Sequence, residues 1–178
     1  MKKLDIDKVL KFFPLEKPRE VQKHCVAEAV KGWNRGAKFV VMDAPTGVGK
    51  SAIAVTLARA LEQSYMLTLT EQLQEQYLKD FKQHGLEALK GRGKFVCANG
   101  GGSLTCATGK VQFGTKCKAC PYKAAKERAL KAPHTVANYH SFLFNVGGPQ
   151  AGFGADEDSG DPHRPLLVVD ECHALEGF

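Results

Sequence analysis

The feature that most constrains this chain is a glycine-rich octapeptide set between an apolar run and a helical pattern. The octapeptide APTGVGKS (residues 44–51) follows the run KFVVM at 38–42 and precedes a helical periodicity from Ala52 to Leu61. Strand, glycine loop and helix in this order form a P-loop, in which backbone N–H groups cradle phosphates at a helix N-terminus. Alanine stands at position 44, where the pattern usually has its first glycine. The octapeptide predicts a nucleotide-binding site.

Two side chains of the octapeptide have specific predicted roles. Lys50 is expected to reach the β- and γ-phosphates, and the Ser51 hydroxyl is expected to ligate Mg²⁺. A purely structural glycine turn is the alternative, and it would leave an intact GKS sequence after a strand as a coincidence. The candidate nucleotide-binding residues of the loop are Pro45, Thr46, Gly47, Val48, Gly49, Lys50 and Ser51.

The rest of the chain alternates helical patterns with short apolar runs. Residues 18–35 and 71–83 have helical periodicity, whereas 65–69, 134–137 and 166–169 are typical of buried strands. This alternation predicts an α/β fold with a parallel sheet covered by helices on both faces. Hydrophobic residues make up 43% of the chain, and no apolar run approaches the roughly 18 residues of a membrane span. We therefore expect a soluble, intracellular protein.

The segment from Lys90 to Lys131 differs from the rest of the chain in its charge. It contains ten Lys or Arg and one acidic residue, a local net charge of +9, whereas the remainder of the chain carries −3. Such a surface attracts phosphate backbones, and Phe95, Phe113 and Tyr122 are candidates for stacking on bases. The alternatives are a solvated lysine-rich surface and, for the aromatic residues, the core of a small domain.

Four of the six cysteines, Cys97, Cys106, Cys117 and Cys120, lie in the same segment. They are separated by eight, ten and two residues, so only one C-x-x-C unit is present, whereas structural zinc sites usually pair two such units. Cys120 precedes Pro121, as in some iron–sulfur motifs, and four cysteines suit a [4Fe–4S] cluster. The spacing alone leaves a cluster, a zinc ion and unligated thiols open.

A polar cluster follows the last apolar run. Asp170 and Glu171 come directly after the run at 166–169, and the carboxyl ends of parallel strands are where ligands bind in open α/β sheets. Asp170 is predicted to hold the Mg²⁺ shell, and Glu171 to orient or deprotonate the attacking water. His173 lies two residues further on. For the acidic pair alone, a simple polar turn is the alternative.

Taken together, these motifs resemble the iron–sulfur superfamily 2 DNA helicases of the XPD and DinG type. PREVQ (18–22) looks like their R-x-x-Q signature, DAPTGVGKS resembles motif I, and TLTEQLQEQ (68–76) looks like motif Ia. TVANYHSFL is similar to their NHxxL stretch, with Asn138 and His140 in place, and DECH (170–173) is similar to the DEAH box. The four-cysteine segment resembles the family's cluster insertion. The resemblance extends over nearly the whole chain.

The resemblance implies a RecA-like domain formed by residues 1–89 and 132–178, interrupted by an iron–sulfur domain at residues 90–131. It favours a [4Fe–4S] cluster on the four cysteines, with zinc as the alternative. It also implies bound ATP and Mg²⁺, with Gln22 reading the adenine and Arg19 beside it. The catalytic residues that it implies are Lys50, Asp170, Glu171 and His173.

The same resemblance implies single-stranded DNA as the partner, with 5′ to 3′ movement, and leaves RNA open. The chain stops five residues after His173, so we expect the N-terminal portion of a larger motor whose second RecA-like domain supplies an arginine finger. Alone it should be a very poor ATPase. We expect no membrane partner and a cytoplasmic location, or a nuclear one in a eukaryote; the oligomeric state stays open. The alternatives are a metal-stabilised nucleic-acid-binding module with a regulatory nucleotide site and a zinc-stapled, non-helicase P-loop NTPase.

Overall fold

The computed structural model describes residues 3–113, 119–147 and 164–173. The chain divides into two compact units, Met1–Gln63 and Ser64–Phe178. Within the described residues the first unit consists of helices and loops, whereas the second contains a parallel sheet with flanking helices.

The first unit contains three helices, α1 (Ile6–Leu10), α2 (Glu20–Asn34) and α3 (Lys50–Ala60). Helix α1 begins after Asp5, whose carboxylate accepts a hydrogen bond from the Lys8 backbone N–H at 2.9 Å and so caps the helix. Helices α2 and α3 confirm the two helical patterns predicted on either side of the octapeptide. The buried residues of this unit's core cluster are Val9, Val26, Val30 and Ile53.

Residues 38–42 do not form a strand, so that prediction was wrong. The Phe39 and Val41 side chains are 87% and 84% exposed, and Val40 lies against Gly32 of α2, where an added Cβ would be 3.0 Å from Val40 Cγ2. A strand needs a neighbouring strand to pair its backbone N–H and C=O groups. The described residues of the first unit include no strand with which 38–42 could pair, so the apolar run alone could not establish one.

The second unit contains four parallel strands, β1 (Ser64–Thr68), β2 (Leu86–Leu89), β3 (His134–Asn138) and β4 (Leu166–Val169). They form one sheet in the order β2-β3-β1-β4. All five residues of the inner strand β1 are buried, whereas Leu167 on the edge strand β4 is 49% exposed. In register, Met66 of β1 is the Cα partner of both Val136 and Val168. This sheet confirms the predicted α/β class.

Helices flank this sheet and connect its strands. The α-helices are α4 (Glu71–Phe81), α5 (Cys106–Phe113), α6 (Pro121–Lys131) and α7 (Tyr139–Gly147), and short 3₁₀ helices cover Lys82–His84 and Arg92–Lys94. Helix α4 packs against β1, β2 and β3, α6 packs against β2 and β3, and α7 packs against β1 and β3. Pro121 occupies the first turn of α6, where its missing N–H costs no helical hydrogen bond.

Arg164, just before β4, contacts three neighbouring elements. Its guanidinium lies 4.5 Å from the centre of the Tyr65 ring, a cation–π contact. Its two terminal nitrogens donate hydrogen bonds to backbone carbonyls at the end of α6 and the starts of β1 and β3. These acceptors are the carbonyl oxygens of Ser64, Ala129, Leu130, Ala132 and Pro133, at 2.8 to 3.3 Å.

Candidate functional site

Two glycines in the left-handed region shape the loop before α3. Gly47 has φ +80° and Gly49 has φ +85°, values that residues with a Cβ rarely adopt. Gly49 is the N-cap of α3, and the Ala52 N–H donates the first bond of the helix to its carbonyl at 3.0 Å. The N–H groups of Lys50 and Ser51 stand ahead of that bond, at the end of the helix that favours an anion.

Two side chains from the start of α2 hold the backbone of this loop. Arg19 Nη2 donates to the carbonyls of Gly47 at 2.8 Å and Val48 at 2.6 Å, and Gln22 Nε2 donates to the Val48 carbonyl at 2.8 Å. Gln22 Oε1 accepts from the Arg19 backbone N–H at 2.8 Å. The structure thus brings the R-x-x-Q residues and the octapeptide together. Gln22 is 3% exposed, and both ends of its amide bind groups of the protein.

Lys50 points its ammonium back across the loop. Lys50 Nζ donates to the Ala44 carbonyl at 3.2 Å, which places the charge over the loop that begins at that residue. Gly49 approaches Gln22 so closely that an added Cβ would be 2.6 Å from Gln22 Nε2. The loop, the lysine and the two α2 side chains therefore form one hydrogen-bonded assembly within the first unit.

Asp170 occupies the turn that follows β4 in the second unit, and three of its atoms bind other elements. Its backbone N–H donates to the Leu67 carbonyl at 2.9 Å, and its Oδ2 accepts from the Tyr77 hydroxyl of α4 at 3.0 Å. The Tyr139 hydroxyl, at the start of α7, donates to the Asp170 backbone carbonyl. The amino-acid sequence alone does not predict that these two tyrosines contact the turn. Their only signal is position: Tyr77 lies on the apolar side of a helical pattern, and Tyr139 directly follows Asn138.

Glu171 and His173 complete the turn. Glu171 has φ +58°, the left-handed region that a non-glycine residue enters only at a cost. His173 Nδ1 lies 3.4 Å from Glu171 Oε2, and the His173 side chain is 78% exposed. The structure therefore places the three predicted residues of the DECH sequence around one strained turn at the carboxyl end of a parallel strand.

Burial raises the pKa of Tyr139 to about 12, and the nearby charges of Asp170, Cys172 and Glu171 act in the same direction. A tyrosine whose pKa is raised keeps its proton at neutral pH. Tyr139 consequently remains a hydrogen-bond donor to the Asp170 carbonyl throughout the physiological pH range.

Three of the four clustered cysteines fall within the described residues, and Cys117 lies outside them. Cys97, Cys106 and Cys120 are all buried, and the Sγ atoms of Cys106 and Cys120 are 3.2 Å apart. Cys97 and Cys106 directly follow the two residues of an isolated antiparallel bridge, Val96 and Thr105. In the described parts of the chain, no three His, Cys, Asp or Glu side chains gather into a group that could hold a metal ion.

The contacting thiols of Cys106 and Cys120 differ in acidity. Burial raises the pKa of the Cys106 thiol to about 11, and the thiol of Cys120 adds to that shift. Burial acts in the same direction at Cys120, but hydrogen bonds from the Lys123 backbone N–H and from Cys106 outweigh it, so its pKa is lowered. Cys120 is the N-cap of α6, a position that favours a thiolate.

The basic segment contacts the acidic side of α4. Lys90 Nζ lies 2.7 Å from Glu75 Oε1, and Lys94 Nζ lies 3.0 Å from Glu71 Oε2. Tyr122 is 2% exposed, packs edge-on against Phe95 and belongs to a buried core that also contains Leu89 of β2, so it does not lie on a base-stacking surface. The Phe113 side chain lies outside the described residues.

The chain matches a known protein family over most of its length. Residues 15–177 match the family described as "Type III restriction enzyme, res subunit". The chain belongs to that family. The family is a helicase superfamily 2 group of ATP-hydrolysing enzymes, and its domain is an ATP-dependent nucleic-acid motor. The match agrees with the superfamily predicted from the motifs and carries no information about the iron–sulfur subfamily.

A short similarity to an individual protein adds little to this family assignment. A β-galactosidase from Halalkalibacterium halodurans is 31% identical over 83 residues, which are 47% of this chain and 8% of that protein. This chain therefore spans a small fraction of that protein, and the similarity shows no shared activity. No solved structure matches the chain. Within the described residues, no helix is long and apolar enough to cross a membrane.

Proposed function

We propose that this chain is the ATP-binding motor domain of a DNA helicase that carries a metal-bound cysteine domain and moves 5′ to 3′ on single-stranded DNA. The observation that carries the proposal is the loop assembly of the first unit. Arg19 and Gln22 bind the carbonyls of Gly47 and Val48, and the N–H groups of Lys50 and Ser51, which precede the first helical bond of α3, are proposed to bind phosphate.

In this proposal Lys50 neutralises the β- and γ-phosphates of ATP. Ser51 and Asp170 would hold Mg²⁺, because hydroxyl and carboxylate oxygens are the ligands that this ion prefers. Asp170 suits the role, since within the described residues its side chain accepts a hydrogen bond through Oδ2 and leaves Oδ1 for a cation. The bound Mg²⁺ would offset the charge that develops on the transferred phosphoryl group.

Glu171 is proposed to orient or deprotonate the attacking water, and His173 to hold Glu171. The 3.4 Å separation of His173 Nδ1 and Glu171 Oε2 supports this pairing. The left-handed backbone of Glu171 also supports a functional role, because such strain persists only where surrounding contacts hold it. Tyr139 supplies one such contact at the preceding residue.

Gln22 is proposed to read adenine in addition to supporting the loop. Its Nε2 and Oε1 each make one hydrogen bond to the described part of the chain, and an amide group can make four. One further donor and one further lone pair are thus left for the adenine edge. Arg19, whose Nη2 bridges Gly47 and Val48, would keep Gln22 in place.

The cysteine segment is proposed to hold a [4Fe–4S] cluster, with a zinc ion as the alternative. The donor set supports a metal: Cys106 and Cys120 have sulfur atoms in contact, both are buried, and Cys97 is buried nearby in sequence. Cys117 would supply the fourth thiolate. A bound metal would order this glycine-rich segment, and its lysines would grip the phosphate backbone of the strand.

We further propose that a second RecA-like domain supplies an arginine to the transition state. The motor would be located in the cytoplasm, or in the nucleus of a eukaryote. Without that arginine, hydrolysis should be slower by a factor on the order of 10³ to 10⁵.

The first test replaces Lys50 in the full-length protein. Lys50→Ala should abolish ATP hydrolysis, a loss on the order of 100-fold or more, while binding of a fluorescent single-stranded oligonucleotide stays unchanged. Lys38→Ala, which alters an exposed lysine of the same unit, is the matched control and should hydrolyse ATP normally. Normal turnover by Lys50→Ala would contradict the assignment of the loop.

The second test measures iron, zinc and acid-labile sulfide in protein purified without oxygen. About four irons and four sulfides per chain, lost together in Cys120→Ser, would support the cluster. About one zinc without sulfide would support a structural zinc site, and the iron–sulfur subfamily would then be rejected. Cys25→Ser, outside the segment, serves as the control and should leave the metal content unchanged.

A further inference from the structure

We propose that Tyr77 is a positioning residue for Asp170, and that through Tyr77 helix α4 controls the divalent-cation site of the motor. The proposal rests on the proposed function, because it takes Asp170 as a ligand of Mg²⁺. The juxtaposition that carries it is the Tyr77 hydroxyl, 3.0 Å from Asp170 Oδ2, across 93 residues of sequence.

The hydrogen bond leaves the carboxylate in a defined orientation. A carboxylate on a turn can rotate about its side-chain torsions, and either oxygen can then face a cation. With Oδ2 bound by the phenol and the backbone N–H of Asp170 bound to the Leu67 carbonyl, both the residue and its side chain are fixed. An outer partner that orients a metal ligand in this way commonly changes metal affinity by 10- to 100-fold when it is removed.

Tyr77 is itself held rigidly, so it can act as a support. Its side chain is 2% exposed, and its ring packs at a tilt against Phe81 one turn later, with ring centres 6.2 Å apart. A buried tyrosine needs a partner for its hydroxyl, but many backbone carbonyls could serve. The partner of Tyr77 is the side chain that the motor would use to bind its cation. A purely structural role for Tyr77 would not require that particular partner.

The outer side of α4 contacts the basic segment. Glu71 and Glu75, in the first two turns of α4, form ion pairs with Lys94 and Lys90. One helix therefore contacts the proposed nucleic-acid-binding lysines on its exposed side and Asp170 on its buried side. Phosphates of a bound strand would compete with the two glutamates for these lysines. A resulting shift of α4 would be transmitted to Asp170 through the Tyr77 hydroxyl.

The test removes only that hydroxyl. With the full-length Tyr77→Phe protein and a non-hydrolysable ATP analogue, Mn²⁺ titrated as a paramagnetic stand-in for Mg²⁺ should bind about 10-fold more weakly than in the wild type. The Mg²⁺ concentration for half-maximal hydrolysis should rise similarly, and stimulation by single-stranded DNA should fall. Tyr65→Phe, another buried tyrosine of the same unit, is the control and should change none of these quantities.

A double-mutant cycle separates positioning from general destabilisation. If Tyr77 acts through Asp170, Tyr77→Phe should produce no further loss of Mn²⁺ affinity in an Asp170→Asn background. Unchanged Mn²⁺ affinity in Tyr77→Phe, or an equal loss in both backgrounds, would overturn the proposal. Retained turnover by Lys50→Ala would overturn the proposed function and this inference with it. An inactive Lys50→Ala beside a normal Tyr77→Phe would overturn this inference alone.

Discussion

The loop before α3 and the turn after β4 carry the two motifs of a nucleotide-dependent motor, but they are supported in different ways. Arg19 and Gln22 hold the loop by its backbone carbonyls, and glycines supply its left-handed conformations. The turn has no glycine in its DECH sequence, and two tyrosine hydroxyls from other elements hold it at Asp170.

Because of this difference, the two motifs should be sensitive to different substitutions. A loop built on glycine conformations fails when a Cβ is added, because strain arises within the loop itself. In a turn held by hydroxyl groups, substitution of a distant partner removes a hydrogen bond without adding strain to the turn itself. Each of the following predictions tests one side of this contrast.

The largest effect is expected at Gly49. Alanine there meets both a φ of +85° and Gln22 Nε2 at 2.6 Å, whereas alanine at Gly47 meets open space at φ +80°. Gly47→Ala should lower the free energy of unfolding by about 1 to 2 kcal/mol from backbone strain. Gly49→Ala should lose about 3 kcal/mol, because the Gln22 hydrogen bond is also disrupted. Urea unfolding measures both values.

A matched substitution separates strain from loop function. Gly36→Ala meets the same kind of backbone strain, with φ +81° and open space, outside the octapeptide. It should lose stability as Gly47→Ala does but bind an ATP analogue normally in calorimetry, whereas Gly49→Ala should bind it at least about 10-fold more weakly. Equal stability losses for Gly47→Ala and Gly49→Ala would show that the Gln22 contact is unimportant.

The next effect concerns the side-chain support of the loop. Gln22→Ala leaves the Arg19 N–H without its partner and leaves the Val48 carbonyl bound by Arg19 Nη2 alone, which should cost about 1 to 3 kcal/mol of unfolding free energy. Gln83→Ala, on the surface of the second unit, should change stability by less than about 0.5 kcal/mol. Affinities for ATP and GTP sharpen the test. An equal loss for both nucleotides indicates support alone, whereas a selective loss for ATP indicates adenine recognition as well.

The smallest effect is expected on the other side of the comparison, at Tyr139. Tyr139→Phe removes one hydrogen bond to the Asp170 carbonyl and should cost about 1 kcal/mol at neutral pH. Because burial raises the pKa of Tyr139 to about 12, its folded form resists ionisation. Its contribution is complete below about pH 10, the ordinary tyrosine value, and is lost as the pH rises from there through 12.

Unfolding curves at several alkaline pH values test this window. Between pH 10 and 12 the stability of the wild type should fall more steeply with pH than that of Tyr139→Phe, whereas below pH 9 the two stabilities should differ by a constant amount of about 1 kcal/mol. Parallel losses in both proteins would mean that Tyr139 ionises as it does in an unfolded chain.

Periodicity predicted the helices α2, α3 and α4 and the strands β1, β3 and β4, because each has a clear apolar pattern of sufficient length. It did not predict β2, whose four residues LEAL lack β-branched side chains and become a strand by pairing with β3. It wrongly predicted a strand at 38–42, because an apolar run does not specify its pairing partner. Both errors have one physical cause: strand formation depends on non-local hydrogen bonds.

The local chemistry of this protein can be predicted from residue type and short spacing: the glycine loop with its lysine, the cysteine spacing and the acidic pair after β4. The groups that support these features, such as Gln22 on the Val48 carbonyl or Tyr77 on Asp170, are known only from the three-dimensional structure. From its helical pattern, Tyr77 is predicted only to be a core residue. Its contact with the Asp170 carboxylate could not be predicted, because a hydrogen bond across 93 residues leaves no local sequence pattern.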